Sequence, residues 1–285
     1  MAHTKTDSLG KPAAMAAPCP LLSDGITDDT LLNIARFLPT AIDLLCLKLT
    51  NSRFAAKIIT ASGAEGAAAA PEMLCIADEA GRLWLVGCSE QERGWVPRCD
   101  LESWLCLMHE VELLRVPVAF GRAHAFLTQS EGGAVVTRTV GGATRTAAST
   151  VVMRSGSHFV QFTVVDGFML FGAIRPGWDV EGGEYAVCYA EDGHCFYRTF
   201  DGRREPGWQT WEGMQPAKQQ GDRIGMLLDL DQGSMTVWKN DVKLGVMVAE
   251  GLSGSFCWAV EMASFGTSAR IESAPLPADA GGCLI

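Results

Sequence analysis

The chain has 285 residues, of which 48% are hydrophobic and 20% charged, a composition typical of a globular protein. Its formal net charge is −10, and such a surface repels a phosphate backbone unless basic side chains are segregated from the acids. Arg198, Arg203 and Arg204 come nearest to a basic patch, but Asp201 and Glu205 stand among them. We therefore expect no nucleic-acid partner.

Membrane and metal partners are not expected either. The sequence contains no run of about 18 apolar residues, the length that a spanning helix requires. Ten cysteines are present, without a C-x-x-C pair or a cluster with histidine. Cys46 and Cys257 lie in apolar runs, which predicts buried free thiols rather than ligands or disulfides. We expect a protein of the cytoplasm or nucleus without a cofactor.

The first predicted helices follow a leader of residues 1–20, which is polar, rich in alanine and proline, and expected to be disordered. Within the segment 21–60, Thr27 is a predicted N-cap, with two aspartates in the first helical turn. Thr40 and Asp43 have the spacing of a capping box at the start of a second helix. A third short helix is predicted at the end of the segment.

This helical segment carries more leucine and isoleucine than three short helices can bury against each other. Some of these side chains must face another protein or another part of the same chain. Two interpretations stay open, a docking segment for a partner and a self-packed helical leader.

The stretch ITDDTLLNIARFLPTAIDLLCLKLTNSRF resembles an F-box. The matching positions are Leu31, Ile34, Leu38, Pro39, Asp43, Leu44, Leu45, Leu47, Leu49, Arg53 and Phe54. Thr27 stands where proline is usual, and Thr30 and Ala35 replace leucines. The resemblance implies docking to the Skp-type linker protein of a cullin–RING ubiquitin ligase. The residues that it places in that docking site are Ile26, Leu31, Leu32, Phe37, Leu38, Pro39 and Leu44.

Residues 61–71 are small and are predicted to form a linker, followed by connecting helices in 72–115. Apolar residues keep helical spacing between Glu72 and Cys88 and again between Asp100 and Leu107. We expect these helices to clamp the docking segment onto the rest of the chain.

From residue 116 to 275 the sequence changes to short runs of valine, phenylalanine, threonine and isoleucine broken by glycine, which predicts strands. Turn residues follow at Gly233 and at Asn240 with Asp241. Alternation around Trp238 predicts a strand with one solvated face. Strands without intervening helices indicate an antiparallel sandwich or barrel. Residues 276–285 are predicted to be a flexible tail.

The segment GDRIGMLLDLDQGSMTVWKNDVKLGVMVAEGL closely resembles SPRY domains. The matching positions are Gly221, Asp222, Ile224, Gly225, Leu228, Asp229, Gly233, Asn240, Leu244, Gly245 and Leu252. The resemblance implies a bent antiparallel β-sandwich. The chain is therefore expected to be an α+β protein, with a small all-α N-terminal segment before an SPRY-like antiparallel β-sandwich.

No pattern in the sequence indicates an enzyme. Nucleotide-binding, zinc-protease and nucleophile-elbow motifs are missing. His109 and Glu110 are adjacent, and adjacent residues on a helix do not share a face. Asp229 and Asp231 flank a turn, where side-chain hydrogen bonds to the turn backbone explain them better than calcium binding.

SPRY domains recognise peptides or protein surfaces with loops at one end of the sandwich, which implies partner binding here too. The corresponding residues are Arg175, Trp178 and Tyr185 in one loop and Phe265 and Gly266 in another. We expect the fold to bring these two loops together. The alternative is that Trp178 and Phe265 only close the end of the sandwich.

These patterns predict a protein-interaction adaptor. The leading hypothesis is a substrate-recognition subunit of an SCF-type ubiquitin ligase, in which the SPRY loops bind an unknown protein or peptide substrate. The alternative is an SPRY protein-binding scaffold with no link to ubiquitin.

Overall fold

The computed structural model describes residues 27–50, 52–55, 57–59, 73–99, 102–181, 194–275 and 277. The chain divides into two compact units, Met1–Trp84 and Leu85–Ile285. The predicted leader 1–20, the linker 61–71 and nearly all of the tail 276–285 lie outside the described residues. In what is described, no helix is long and apolar enough to cross a bilayer.

The first unit contains short helices and one small antiparallel strand pair, and a fourth helix crosses into the second unit. The elements are α1 Asp28–Ala35, α2 Ala41–Thr50, α3 Ser52–Ala55, β1 Lys57–Ile59, β2 Met73–Cys75 and α4 Ile76–Val86. The predicted starts of α1 and α2 are confirmed. Thr27 Oγ1 accepts a hydrogen bond from the Thr30 amide at 3.3 Å, and Thr40 Oγ1 accepts one from the Asp43 amide at 3.1 Å.

The second unit begins with two further helices and continues as strands. The helices are α5 Glu90–Trp95 and α6 Trp104–Arg115. The strands are β3 Phe120–Ala123, β4 Leu127–Ser130, β5 Val135–Arg138, β6 Arg145–Ser149, β7 Ser157–Asp166, β8 Met169–Ile174, β9 Cys195–Arg198, β10 Arg204–Glu205, β11 Arg223–Asp229, β12 Ser234–Lys239, β13 Val242–Val248, β14 Cys257–Met262 and β15 Ser268–Glu272.

Two antiparallel sheets form the sandwich. Over the described residues, six strands are ordered β10-β9-β8-β14-β6-β3 and seven are ordered β13-β12-β11-β7-β15-β5-β4. Their facing sides meet in one hydrophobic core, where the rings of Phe162 on β7 and Phe171 on β8 stack with centroids 4.7 Å apart. The predicted fold class, an antiparallel β-sandwich after a small helical segment, is confirmed.

The predicted turns are confirmed in detail. Asn240 and Asp241 have φ of 51° and 68°, the left-handed conformation that a two-residue hairpin requires, and they join β12 to β13. Asp229 Oδ1 accepts the amides of Asp231 at 3.0 Å and Gln232 at 2.9 Å. The side chain of Asp229 therefore caps its own turn, as expected.

The prediction that β12 has one solvated face is wrong, because Thr236 and Trp238 are buried as well as their inward-facing neighbours. On the outer side, the Phe159 ring meets the Trp238 ring edge-on with centroids 5.6 Å apart. Gly225 lies between them, and a Cβ there would approach Phe159 Cζ to 2.7 Å. Because Gly225 has no side chain, the Phe159 and Trp238 rings have room to cover the outer face of the sheet at this point.

The cysteine prediction holds for Cys257, which is buried, and is wrong for Cys46, which is exposed. Residues two positions apart on a helix point in nearly opposite directions. Leu44 of α2 is buried, so Cys46 faces away from the packed side of the helix.

Candidate functional site

The two loops predicted to bind a partner leave the sandwich at opposite ends. In the antiparallel pair β8–β14, Met169 at the start of β8 lies opposite Met262 at the end of β14. Arg175 follows β8 and Phe265 follows β14, so the length of the strand, roughly 17 Å, separates their starting points. The prediction that the fold brings the loops together is wrong, because loops following two antiparallel neighbours depart in opposite directions.

Arg175 holds a neighbouring loop. Its Nη1 donates hydrogen bonds to the carbonyl oxygens of Ser253 at 2.6 Å and Ser255 at 3.2 Å. Its guanidinium also lies 4.2 Å from the centroid of the Phe256 ring. The Arg175 side chain is therefore largely engaged in contacts within its own domain.

Trp178 packs against the same end of the six-stranded sheet. Its ring meets the buried His194 ring at right angles, with centroids 4.6 Å apart, and it lies on a buried cluster that includes Ile174 and Phe196. This placement favours the alternative interpretation for Trp178, closure of the sandwich end. Tyr185, the third residue predicted in this loop, lies outside the described residues.

Phe265 is presented to solvent at the other end, with 72% of its surface exposed in the loop between β14 and β15. The next residue, Gly266, has a φ of 80°, in the left-handed region that favours glycine. The amide of Gly266 donates to the carbonyl oxygen of Arg138 at 3.0 Å. The backbone beside the exposed ring is thereby tied to the end of β5.

Two further exposed phenylalanines lie at this end. Phe168, 42% exposed, belongs to the β7–β8 turn, and Phe200, 49% exposed, follows β9. Their ring centroids are 5.9 Å apart, and the ammonium of Lys218 lies 4.0 Å from the centre of the Phe200 ring. We call Phe168, Phe200 and Phe265 together the phenylalanine end.

Contacts between the loops hold the phenylalanine end together. The amide of Met169 donates to Thr199 Oγ1 at 2.9 Å, and the amide of Thr199 donates to the Met169 carbonyl at 3.0 Å. A Cβ on Gly167 would lie 2.5 Å from Thr267 Cγ2, so the turn that carries Phe168 touches the loop that carries Phe265.

A buried arginine supports the same end. Arg138, at the end of β5, is 1% exposed, and its guanidinium donates to the carbonyl oxygens of Val140 at 2.8 Å, Ala143 at 2.5 Å and Met262. Burial lowers the pKa of Arg138, and the nearby Arg145 lowers it further. One side chain therefore holds the backbone of the β5–β6 loop against the end of β14.

Helices α5 and α6 pack at the opposite end of the sandwich, which we call the covered end. Arg154 donates to Glu102 Oε1 at 2.6 Å, and its Nε lies 2.8 Å from Glu110 Oε2 on α6. Ser155 Oγ donates to the Trp95 carbonyl of α5 at 2.7 Å. Side chains just before β7 thus bind both helices.

Phe168 and Phe200 were not among the residues predicted from the sequence. Each lies in a turn beside a glycine, in Gly167–Phe168 and in Phe200–Asp201–Gly202. A large aromatic residue in a turn does not follow the alternation of inward and outward side chains that a strand imposes. That pattern could have indicated both exposed rings.

The residues predicted to dock a Skp-type linker divide into two groups in the first unit. Leu31 and Leu44 are buried, with 0% and 1% exposed, so they support the unit itself. Leu32 and Leu38 are half-buried, and Pro39 is exposed. Ile26 lies outside the described residues.

The remaining predicted docking residue, Phe37, lies in the turn after α1 and is 87% exposed, and apolar residues of α2 are exposed near it in sequence. Ile42, Leu45 and Leu49 of α2 are 59%, 43% and 76% exposed and are spaced to share one helix face. We call Phe37, Ile42, Leu45 and Leu49 together the apolar face of the first unit. Large exposed apolar patches often mark protein-binding surfaces.

Comparisons with known proteins give structural likeness only. No protein-family model matches the chain, and no curated protein matches it. The SPRY domain of human HERC1 is similar, with 18% identity and a TM-score of 0.46, over 56% of this chain and 99% of that chain. The TRIM65 PSpry domain has 12% identity and a TM-score of 0.43, over 54% and 90%. A human SPRY domain has 17% identity and a TM-score of 0.41, over 53% and 98%.

Proposed function

We propose that this chain is a protein-interaction adaptor rather than an enzyme, and that its sandwich binds a protein partner at the phenylalanine end. The observation that carries the proposal is the exposure of Phe168, Phe200 and Phe265 at one end of the fold. Exposed aromatic residues on a fixed backbone supply large contact areas at a low entropic cost. The hydrogen bonds between Met169 and Thr199, and from the Gly266 amide to the Arg138 carbonyl, fix the backbone that carries these rings.

The chemistry of this end suggests the kind of partner. Three aromatic rings favour an apolar or aromatic side chain, and Lys218, exposed beside Phe200, favours a carboxylate next to it. We therefore expect a partner segment in which an apolar residue stands close to an acidic one.

The test compares proteins labelled in cells by the parent chain fused to a proximity-labelling enzyme and by a Phe200→Ala, Phe265→Ala double variant. Trp208→Ala is the matched control, since Trp208 is 59% exposed on a different loop. We expect that proteins bound at the phenylalanine end are no longer labelled by the double variant and are still labelled by the control. If the double variant keeps every partner of the parent, the proposed surface is wrong.

We propose further that the apolar face of the first unit docks a Skp-type linker, which would make the chain an SCF-type ligase adaptor. The F-box resemblance and the exposure of Phe37, Ile42 and Leu49 support this second surface. The alternative remains a binding scaffold with no link to ubiquitin, in which this face serves another contact.

The docking test uses the purified chain and a purified Skp-type linker, with a Phe37→Asp, Leu49→Asp double variant. Leu31 and Leu44 are unsuitable targets, because a charge at a buried position would unfold the unit. Phe265→Asp, exposed in the second unit, is the control and should bind as the parent does. Failure of the parent to bind would leave the scaffold as the remaining interpretation.

A further inference from the structure

The phenylalanine end continues across the sandwich in two further exposed apolar residues. Phe126, in the turn between β3 and β4, is 37% exposed, and Val140, in the loop between β5 and β6, is 42% exposed. The loops at this end therefore carry one exposed apolar residue beside each of five neighbouring strands, β9-β8-β14-β6-β3. In that order the residues are Phe200, Phe168, Phe265, Val140 and Phe126, which we call the apolar row.

Strand pairing places these loops side by side. The last residue of β14 pairs with the first residues of both β8 and β6. The last residue of β9 pairs near the start of β8, and the last residue of β3 pairs near the start of β6. Four of the loops cross to the seven-stranded sheet, where β7, β15, β5 and β4 are neighbours in the same order. Both sheets therefore give the same sequence of residues along the apolar row.

Contacts between neighbouring loops hold the apolar row together. The three loops of the phenylalanine end contact one another. The β5–β6 loop is joined to them because the Arg138 carbonyl accepts a hydrogen bond from the Gly266 amide at 3.0 Å. Thr139, the next residue, donates its amide at 3.0 Å and its Oγ1 at 3.1 Å to the Phe126 carbonyl. The backbone under the row is therefore connected along its whole length.

The spacing of the apolar row matches an α-helix better than an extended peptide. Neighbouring strands lie about 4.8 Å apart, so five of them cover roughly 19 Å. A helix presents the same face about every 5.4 Å, once per turn, whereas an extended chain presents it about every 6.7 Å. A helix of about 13 residues would therefore span the row with one apolar side chain per turn.

We propose that the apolar row binds an amphipathic helix of a protein partner, with an apolar residue at every third or fourth position and a carboxylate at the end that faces Phe200. The ammonium of Lys218 lies 4.0 Å from the centre of the Phe200 ring and attracts that carboxylate. The acidic neighbour Asp201 is engaged with Arg198 and Arg203, at 3.6 Å and 3.8 Å. This inference rests on the function proposed for the phenylalanine end and adds the shape of the partner.

The first experiment selects binders of the immobilised full chain from a displayed library of random peptides of about 16 residues, long enough to span the row as a helix. The library is first depleted on the Phe200→Ala, Phe265→Ala variant. We expect the enriched peptides to repeat apolar residues every three or four positions and to carry aspartate or glutamate at one end. Enriched peptides whose apolar residues alternate every two positions would overturn the helix and leave the proposed binding surface intact. Failure to enrich any peptide would count against both.

Val140 tests how far the row extends beyond the three phenylalanines. Val140→Ala removes two methyl groups from the contact and should weaken binding of a synthesised, enriched peptide by about three- to tenfold. Val152→Ala is the matched control, because Val152 is also 42% exposed but follows β6, at the other end of that strand. Fluorescence anisotropy of the labelled peptide measures the affinities. Equal binding by the parent and Val140→Ala would show that the row ends at Phe265 and would overturn the proposal.

Lys218 tests the predicted position of the carboxylate. Lys218→Glu should weaken binding of the same peptide by about tenfold at low salt, because an attraction becomes a repulsion. A second peptide, with glutamine in place of its acidic residues, should bind the parent and Lys218→Glu equally. If the substitution weakens both peptides to the same extent, Lys218 does not recognise a carboxylate and that part of the proposal is wrong.

Discussion

The two ends of the sandwich are built from the same strands and differ in what covers them. At the phenylalanine end, three aromatic rings extend into solvent from loops tied together by backbone hydrogen bonds. At the covered end, α5 and α6 pack over the sheets, and Arg175 holds the loop that follows β13. Strand order alone therefore does not determine how exposed each end is, because α5 and α6 cover one of them.

The largest loss of stability is expected when the Arg138 guanidinium, which supports the phenylalanine end, is removed. Arg138→Met leaves three carbonyl oxygens without their donor, and we expect the free energy of unfolding to fall by about 3–5 kcal/mol. Denaturant unfolding measures this change. Arg175→Met at the covered end is the control, with an expected loss of about 1 kcal/mol. Equal losses would contradict the claim that one buried arginine organises the exposed end.

The covered end should loosen when its ion pairs are removed. Arg154→Ala abolishes contacts to Glu102 and Glu110, and we expect the unfolding free energy to fall by about 1–2 kcal/mol because all three side chains are partly exposed. Amide hydrogen exchange in α6 should become faster, while exchange near Phe265 stays as in the parent. Faster exchange at both ends would show that the two ends are not independent.

The ion pair between Glu92 on α5 and Arg115 on α6 makes a pH-dependent contribution to stability. The hydrogen bond from Arg115 lowers the pKa of Glu92 to about 2, from an ordinary value of 4.5. Because the folded-state pKa is depressed, the stabilisation is fully present above pH 4.5 and is lost as the pH falls towards 2.

The matching variant is Glu92→Gln. We expect it to be less stable than the parent by about 1 kcal/mol at pH 7, where Glu92 is charged, since the partner Arg115 is partly exposed. Urea unfolding at several pH values should show this difference shrinking between pH 4.5 and pH 2. A difference that does not depend on pH would point to lost packing instead of the ion pair.

The smallest effect on stability is expected at Phe265. Because 72% of this residue is exposed, Phe265→Ala should change the unfolding free energy by less than about 0.5 kcal/mol. Thermal unfolding measures it. A loss of 2 kcal/mol or more would favour the alternative in which Phe265 closes the end of the sandwich.

The sequence predicts local features of this fold well. The Asn240–Asp241 turn and the Thr27 cap could be recognised because each depends on the conformational preferences of one or two residues. The positions of Arg175 and Phe265 could not be predicted, since they depend on β14 pairing with β8, a contact between distant segments. Likewise, helical spacing shows that Leu31 and Ile34 belong to an amphipathic helix, but it does not show which face the rest of the unit covers.

The hydrogen bonds that Arg138 donates to backbone carbonyl groups have a consequence for protein engineering. It holds the β5–β6 loop through the carbonyl groups of Val140 and Ala143, which every amino acid carries whatever its side chain. Between them, a Cβ on Gly141 would meet no atom within 4 Å, and its φ is not in the left-handed region. Residue 141 is thus a position where new side chains can be introduced beside the phenylalanine end without altering the shape of the loop. A library of variants at this position would test the proposed binding surface while keeping the same scaffold.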